Sequence, residues 1–357
     1  MPDAFWIDRD DELPALARAL DSQAWIGVDT EFLRERTFFP KLCLLQLAAG
    51  GRIWCVDTLR ITSLDPLMKA LTAATARKII HAARQDLEAV YLSTKRVISP
   101  VFDTQIAAGC IGLKPQIGYA ELVKTLLDVT VPKGQTRTDW SKRPLTPAQL
   151  EYAADDVLYL ADVAASLSQR LAELGRDRWV LEDCLALEDK QLYEPDPAQA
   201  WGRLRGLAQL PPAPRARAKT IAIWREGEAR ARDLPRSWLL SDAAIFSIAE
   251  GAPPPLNDSL AASLREVLEQ AANDDVEDQQ PSQDARPTPE QKVVIERLGK
   301  IVDARAAELN VSPEILAPRG ELKSLGMGTR AGVPRETNVL RGWRREEIGT
   351  RLLDAIG

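Results

Sequence analysis

The stretch Trp25-Ile-Gly-Val-Asp-Thr-Glu-Phe32, followed after a basic and aromatic interval by Leu42-Cys-Leu-Leu-Gln-Leu-Ala-Ala49, decides the fold. Two short runs this apolar read as buried strands. The turn at Ala49-Gly50-Gly51 leads into Arg52-Ile-Trp-Cys-Val-Asp57, a third strand of a hairpin or meander. Beyond it the spacing becomes helical, with apolar residues at Leu64, Leu67, Met68 and Leu71. A short strand at Lys78-Ile-Ile-His-Ala82 precedes a helix through Leu87, Val90 and Tyr91, and Val101-Phe-Asp-Thr104 leads into another at Gln105 to Cys110. Asp103-Thr104 reads as a structural helix cap. Strands and helices that alternate after an initial meander predict an α/β domain on a mixed sheet. The best-marked helix begins at Thr146-Pro147, an N-cap followed by proline, and is expected to run unbroken to about Leu174, ahead of Gly175.

At 357 residues the chain is long enough for two or three cores. No charge-free run exceeds ten residues (42–51 and 104–113), well short of the roughly 18 apolar residues of a membrane span. The N-terminus carries Asp3 and no long apolar core, so no secretory signal is expected and the cytoplasm is the expected compartment. Four cysteines without a C-x-x-C pair argue against a zinc site. A single histidine, His81, cannot build a histidine-rich metal site, and neither a G-x-S-x-G elbow nor a Walker loop is present. Carboxylates must carry any chemistry.

The net charge of −6 is unevenly distributed. Between Arg203 and Arg236 nine basic residues face three acidic ones, and residues 271–290 carry net −5 with almost no hydrophobic bulk. The first pattern suits a basic helical module and the second a disordered linker. Tyr193-Glu-Pro-Asp-Pro197 breaks any helix. The expected division is a first domain over 1–192, a helical one over 200–270, an acidic linker over 271–289 and a second helical domain over 290–357.

Asp29 and Glu31 stand two apart on the first strand, so both side chains project from one face. Paired acids at the end of a central strand are costly unless a divalent cation neutralises them or they lie past the strand end in solvent. Tyr152 and Asp156 lie one helical turn apart on one face, whereas Asp155 is rotated about 100° away. Asp86 opens the helix after the fourth strand, where an acid also suits the helix dipole.

Together these residues resemble the DEDD superfamily of 3′-to-5′ exonucleases, and within it the ribonuclease D family. Asp29-Thr-Glu-Phe-Leu-Arg-Glu-Arg-Thr-Phe-Phe-Pro40 is similar to that family's first motif and His81-Ala-Ala-Arg-Gln-Asp-Leu-Glu88 to its second. Gln135-Thr-Arg-Thr-Asp-Trp-Ser-Lys-Arg-Pro-Leu-Thr146 and Glu151-Tyr-Ala-Ala-Asp-Asp-Val157 resemble the stretch leading into its third. The resemblance covers about residues 22–175. It implies a ribonuclease H-like mixed-sheet nuclease domain, with Asp29, Glu31, Asp86 and Asp156 as metal-binding carboxylates and Tyr152 as the mark of the tyrosine subtype. Residues 205–250, with Arg225, Arg230, Arg232, Asp233, Leu234, Pro235 and Trp238, resemble the start of an HRDC domain. The segment around Ser312-Pro-Glu-Ile-Leu-Ala-Pro-Arg-Gly-Glu-Leu322 resembles a second one less closely. The resemblance therefore implies two small all-α HRDC-like domains after the nuclease. The first looks trimmed, since Ala252-Pro-Pro-Pro-Leu-Asn257 leads straight to Leu260 where a Gly-containing helical hairpin is expected.

All-oxygen ligands select Mg²⁺ or Mn²⁺. Two such ions about 3.5 to 4 Å apart hold both the attacking water and the leaving 3′ oxygen of an in-line displacement, so no histidine base is needed. Tyr152, with an ordinary pKa near 10, suits positioning better than proton abstraction. Phe32, Arg34 and Arg36 offer rings and cations for a single strand, and with His81 and Arg137 they are the candidate substrate contacts. The expected activity is a 3′-to-5′ exoribonuclease that trims RNA 3′ ends such as tRNA precursors and releases 5′-mononucleotides. A DNA exonuclease of the same superfamily is the rival enzyme, since no motif recognises a 2′-hydroxyl. A non-catalytic RNA-binding scaffold is the rival of another class.

Overall fold

The computed structural model describes residues 4–132, 134, 138–255, 258–273, 287–328 and 337–356. Among them, six strands form one mixed sheet in the order β1-β4-β3-β2-β5-β6. The strands are β1 Ala4–Ile7, β2 Trp25–Leu33, β3 Lys41–Ala49, β4 Arg52–Val56, β5 Arg77–Ile80 and β6 Val101–Asp103. β2, β3 and β4 are the expected antiparallel meander, and β5 and β6 extend it in parallel from β2. Edge strand β1, parallel to β4, was not expected from sequence. Four residues are too few to show a period.

Helices α1 Leu13–Asp21, α2 Asp65–Leu71, α3 Arg84–Thr94, α4 Thr104–Cys110, α5 Tyr119–Leu127, α6 Pro147–Leu158, α7 Leu160–Leu174 and α8 Asp177–Leu187 surround this sheet. Helices α3 and α6 both pack on β2 and β3. One core layer joins Val28, Leu45 and Leu47 to Leu87 and Val90 of α3. Another joins Leu44 and Cys55 to Trp140, Leu145 and Ala153 of the α6 region. The helix expected to run unbroken from Thr146 to about Leu174 is interrupted at Tyr159, where the backbone turns to φ −100° and ψ 2°.

The chain divides into two compact units. The first contains the sheet together with residues 288–357. In sequence that C-terminal segment reads as a domain of its own, but its described residues share a core with the sheet unit. Leu298, Val302, Leu316, Leu325, Trp343 and Leu352 are buried in one cluster with Ala107, Val163, Leu171, Trp179 and Cys184. The Trp179 and Trp343 rings stack at 4.1 Å, and Asp183 binds Arg344 through both carboxylate oxygens while accepting from the Trp343 indole at 3.1 Å. The helical spacing of residues 294–301 marked a buried face without saying what covers it.

The second unit comprises residues 34–39 and 194–287. Its helices are α9 Pro212–Arg232, α10 Arg236–Leu239, α11 Asp242–Ala249 and α12 Asp258–Asn273. Helix α12 takes in residues 271–273, the start of the expected linker, and 274–286 lie outside the described residues. Much of the excess of basic residues is spent internally. Glu226, 1% exposed, is ringed by Arg203, Arg230 and Arg236, and Arg225 is buried against Asp242 and the Leu240 carbonyl. The six residues that leave β2 also belong here. The main-chain amides of Phe38 and Phe39 donate to the Asp233 carboxylate at 3.0 and 3.1 Å, and the Arg236 guanidinium lies 4.3 Å from the Phe38 ring.

Candidate active site

Strand alternation puts Asp29 and Glu31 on one face of β2, the face that α6 covers. The pairing of β2 with β3 slips between Glu31 and Phe32, where Cys43 is the extra residue, a bulge of the kind that re-aims side chains beside sites. Helix α6 brings Asp156. The carboxylates of Asp29, Glu31 and Asp156 lie within 4.8 Å of one another. The start of α6 is well fixed. Thr146 and Gln149 form a capping box, Pro147 occupies the first turn, and Arg143 just upstream grips the buried Asp57 at the end of β4 through two 2.7 Å bonds.

Asp86, buried in the first turn of α3, lies outside the 4.8 Å trio and accepts a 2.5 Å hydrogen bond from the Thr30 hydroxyl. The turn ahead of α3 passes through Ala82 at φ 57°. It is held by Asp103, whose carboxylate accepts the amides of Ala82 and Ala83 as well as those of Gln105 and Ile106. Asp103, expected only to cap α4, therefore shapes the segment that carries Asp86.

Burial, reinforced by the charges of Asp156 and Asp86, raises the Glu31 pKa to about 9. Burial likewise raises Asp86 and Asp156 to about 7, against the opposing hydrogen bonds from Thr30 and Tyr152 respectively. Asp29 is also pushed well up, by burial first and then by Asp86, Asp156 and Glu31. Acids this close repel as anions, and a hard divalent cation is the partner that removes the conflict. The donor set is wholly oxygen and fits such an ion in kind.

The Tyr152 hydroxyl faces the Asp156 carboxylate and holds that acid's pKa down against burial, and the Tyr152 ring packs against Trp140 with centroids 6.1 Å apart. Burial and the neighbouring carboxylates raise its pKa further, so it remains a donor. Asp155 is not one of the trio, and it is buried.

The expected substrate residues fare differently. Phe32 is half-buried and packs against the α3-side core. Arg34 and Arg36 are exposed and belong to the second unit. His81 has both ring nitrogens engaged, with Nε2 donating to the Ile117 carbonyl at 3.0 Å and Nδ1 accepting from Thr104 at 2.9 Å. Burial lowers its pKa and keeps the ring neutral, which fixes that tautomer. Arg137 lies outside the described residues. Nothing in the sequence assigns Thr30, Asp103, Tyr119 or Arg143 to the site. Only Thr30 carried a signal, standing between two motif acids.

A family model described as 3′-5′ exonuclease matches residues 4–172, and an HRDC domain model matches residues 215–271. A ribonuclease D from Pseudomonas paraeruginosa is 33% identical over 99% of this chain and 98% of its own length. The chain belongs to the ribonuclease D family. A ribonuclease D from Xanthomonas oryzae is 36% identical over 90% of this chain and 91% of its own. The crystal structure of Escherichia coli RNase D superposes with a TM-score of 0.86 at 29% identity, covering 99% of this chain and 98% of that one. As a ribonuclease D family member the chain is a 3′-to-5′ exoribonuclease, its fold the expected exonuclease sheet with a helical HRDC domain. No helix among the described residues is long and apolar enough to cross a membrane.

Proposed function

We propose that this exoribonuclease shortens structured RNAs such as tRNA precursors from the 3′ end, releasing 5′-mononucleotides at a site held by Asp29, Glu31, Asp86 and Asp156. The observation that carries this reading is the convergence of the Asp29, Glu31 and Asp156 carboxylates within 4.8 Å, with the Tyr152 hydroxyl beside Asp156. Mg²⁺ or Mn²⁺ bound there supplies charge neutralisation at the scissile phosphate and a nucleophile at neutral pH. The chain's own residues set the geometry. Asp29, Glu31 and Asp156 supply the ligand oxygens, and Asp86 supplies another once released from or adjusted against Thr30. Tyr152, protonated across the working pH range, orients a water by donation and does not serve as the base. The E. coli relative is described as an exoribonuclease involved in structured RNA processing, which supports the substrate class. Four buried free thiols suit a reducing compartment, and we assign the cytoplasm.

The test uses matched 5′-labelled RNA and DNA strands with Mg²⁺, with Mn²⁺ and with chelator. The expected result is a ladder descending from the 3′ end of RNA with either ion and none with chelator. Preferential shortening of DNA would favour the rival nuclease reading, and RNA binding without shortening would favour the scaffold.

A further inference from the structure

We propose that Tyr119 is a positioning residue for the hydrolytic site, its hydroxyl wedged into the helical backbone so as to set the break that aims Asp156 and Tyr152. In an unbroken helix the Tyr159 amide would donate to the Asp155 carbonyl, four residues back. Here the Tyr119 hydroxyl stands between them, donating to the Asp155 carbonyl at 3.1 Å and accepting from the Tyr159 amide at 3.2 Å. The interruption falls at Tyr159, within Val157-Leu158-Tyr159-Leu160, where neither proline nor glycine accounts for it. Sharp breaks without those residues come from a group inserted into the ladder, and the inserted group is Tyr119.

The contact bears directly on the site. The Asp155 carbonyl belongs to the peptide unit that joins Asp155 to Asp156, so the hydrogen bond holds the very plane from which Asp156 projects. Tyr152 lies one turn earlier on the same helix, its hydroxyl toward that same carboxylate. Tyr119 is itself firmly placed. It opens α5, its ring lies 5.7 Å from the His81 ring, and His81 bonds the Ile117 carbonyl two residues before it. His81 stands at the end of the strand ahead of α3, which carries Asp86. Tyr119 thus ties the orientation of the third acidic motif to the segment of the second. Misplacement of a ligand by a fraction of an ångström is enough to slow a reaction that depends on alignment.

The experiment compares the full-length protein with Tyr119→Phe, which keeps the ring and removes the hydroxyl. For Tyr119→Phe, kcat on a labelled RNA strand is expected to fall about tenfold with KM within about twofold. Calorimetric titration of the substrate-free proteins with Mn²⁺ is expected to show weaker binding by several-fold, with little change in melting temperature. In the double variant with Tyr152→Phe, the loss should be smaller than the product of the single losses, since part of what Tyr119 contributes is the aim of the Tyr152 hydroxyl itself. Unchanged kcat and Mn²⁺ affinity would overturn the proposal. So would multiplicative losses, or a Tyr119→Phe protein that fails to fold, which would show that the hydroxyl serves the core. The unsubstituted protein in the same assays shows separately whether the enzyme hydrolyses RNA and binds the ion.

Discussion

The Thr30 hydroxyl donates a 2.5 Å hydrogen bond to the Asp86 carboxylate, tying the acid of the second motif to the strand of the first. Thr30 stands between Asp29 and Glu31 in sequence but faces the opposite side of β2. It opposes the rise that burial imposes on the Asp86 pKa. Thr30→Val, which keeps the shape and loses the donor, is therefore expected to raise that pKa further. Activity should fall several-fold at neutral pH and recover partly as pH rises. A pH-rate profile of the two proteins checks this, and superimposable profiles would show that the bond is irrelevant to turnover.

Asp29→Asn, Glu31→Gln and Asp156→Asn should each cut hydrolysis on the order of a thousandfold or more, because each removes a ligand charge from one shared cluster. Their melting temperatures in chelator should hold or rise, and rise most at high pH, where the acids they replace would ionise and repel one another. Asp155→Asn should behave in the opposite sense, with activity retained and only modest destabilisation. Rates and melts of the four proteins side by side separate the two patterns.

Loss of one orienting hydrogen bond predicts a rate lower by a factor of about ten to a thousand for Tyr152→Phe, with Mn²⁺ affinity intact. A rate indistinguishable from the unsubstituted enzyme would reduce Tyr152 to packing against Trp140.

The folded, metal-free protein holds protons on Glu31 up to about pH 9 and on Asp86 and Asp156 up to about 7. The unfolded chain releases them in the ordinary carboxylate range. Folded pKa values raised above the unfolded ones give stability that is fully present below the ordinary carboxylate range and is lost as pH climbs from there through 7 to 9. Melting temperature in chelator should therefore fall between about pH 6 and pH 9, and saturating Mg²⁺ should remove most of that decline. Binding should also release protons, seen as a buffer-dependent heat in calorimetry.

A fragment ending near Leu192 would strip the cover from Trp179, Leu171 and Ala107, which share a core with Leu298, Leu325 and Trp343. Its melting temperature is expected to drop by more than about 10 °C, if it folds cooperatively at all. Asp183→Ala, which unties Arg344 and the Trp343 indole, should move the full-length protein the same way by less. A fragment that melts like the whole chain would show that the C-terminal segment adds nothing to this core.

Sequence patterns exposed what local chemistry dictates. The β2–β4 meander follows from apolar runs and a Gly-Gly turn, the start of α6 from Thr146 and Pro147, and the pairing of Asp29 with Glu31 from strand alternation. The break at Tyr159 was hidden because its cause lies forty residues earlier, in Tyr119. The quenching of the basic stretch was hidden because Arg203 and Arg236 reach Glu226 only once the helices pack. His81 looked available to substrate because nothing local reveals that Thr104 and Ile117 occupy both its nitrogens. Spacing showed that residues 294–301 bury a face, but the choice of Ala107 and Trp179 as its partners is tertiary.

Residues 34–39 are encoded between two strands of the catalytic sheet but take their main-chain and aromatic partners from Asp233, Arg230 and Arg236. The helical unit is consequently not a detachable cassette in heredity. A gene rearrangement that exchanged residues 194–287 for another module would strand a loop far upstream in the reading frame, immediately after the motif bearing Asp29 and Glu31. Drift in the two stretches is thereby coupled. Substitutions at Phe38 or Phe39 should be inherited together with compensating changes around Asp233, a covariation that lineages with a different accessory module have no reason to keep.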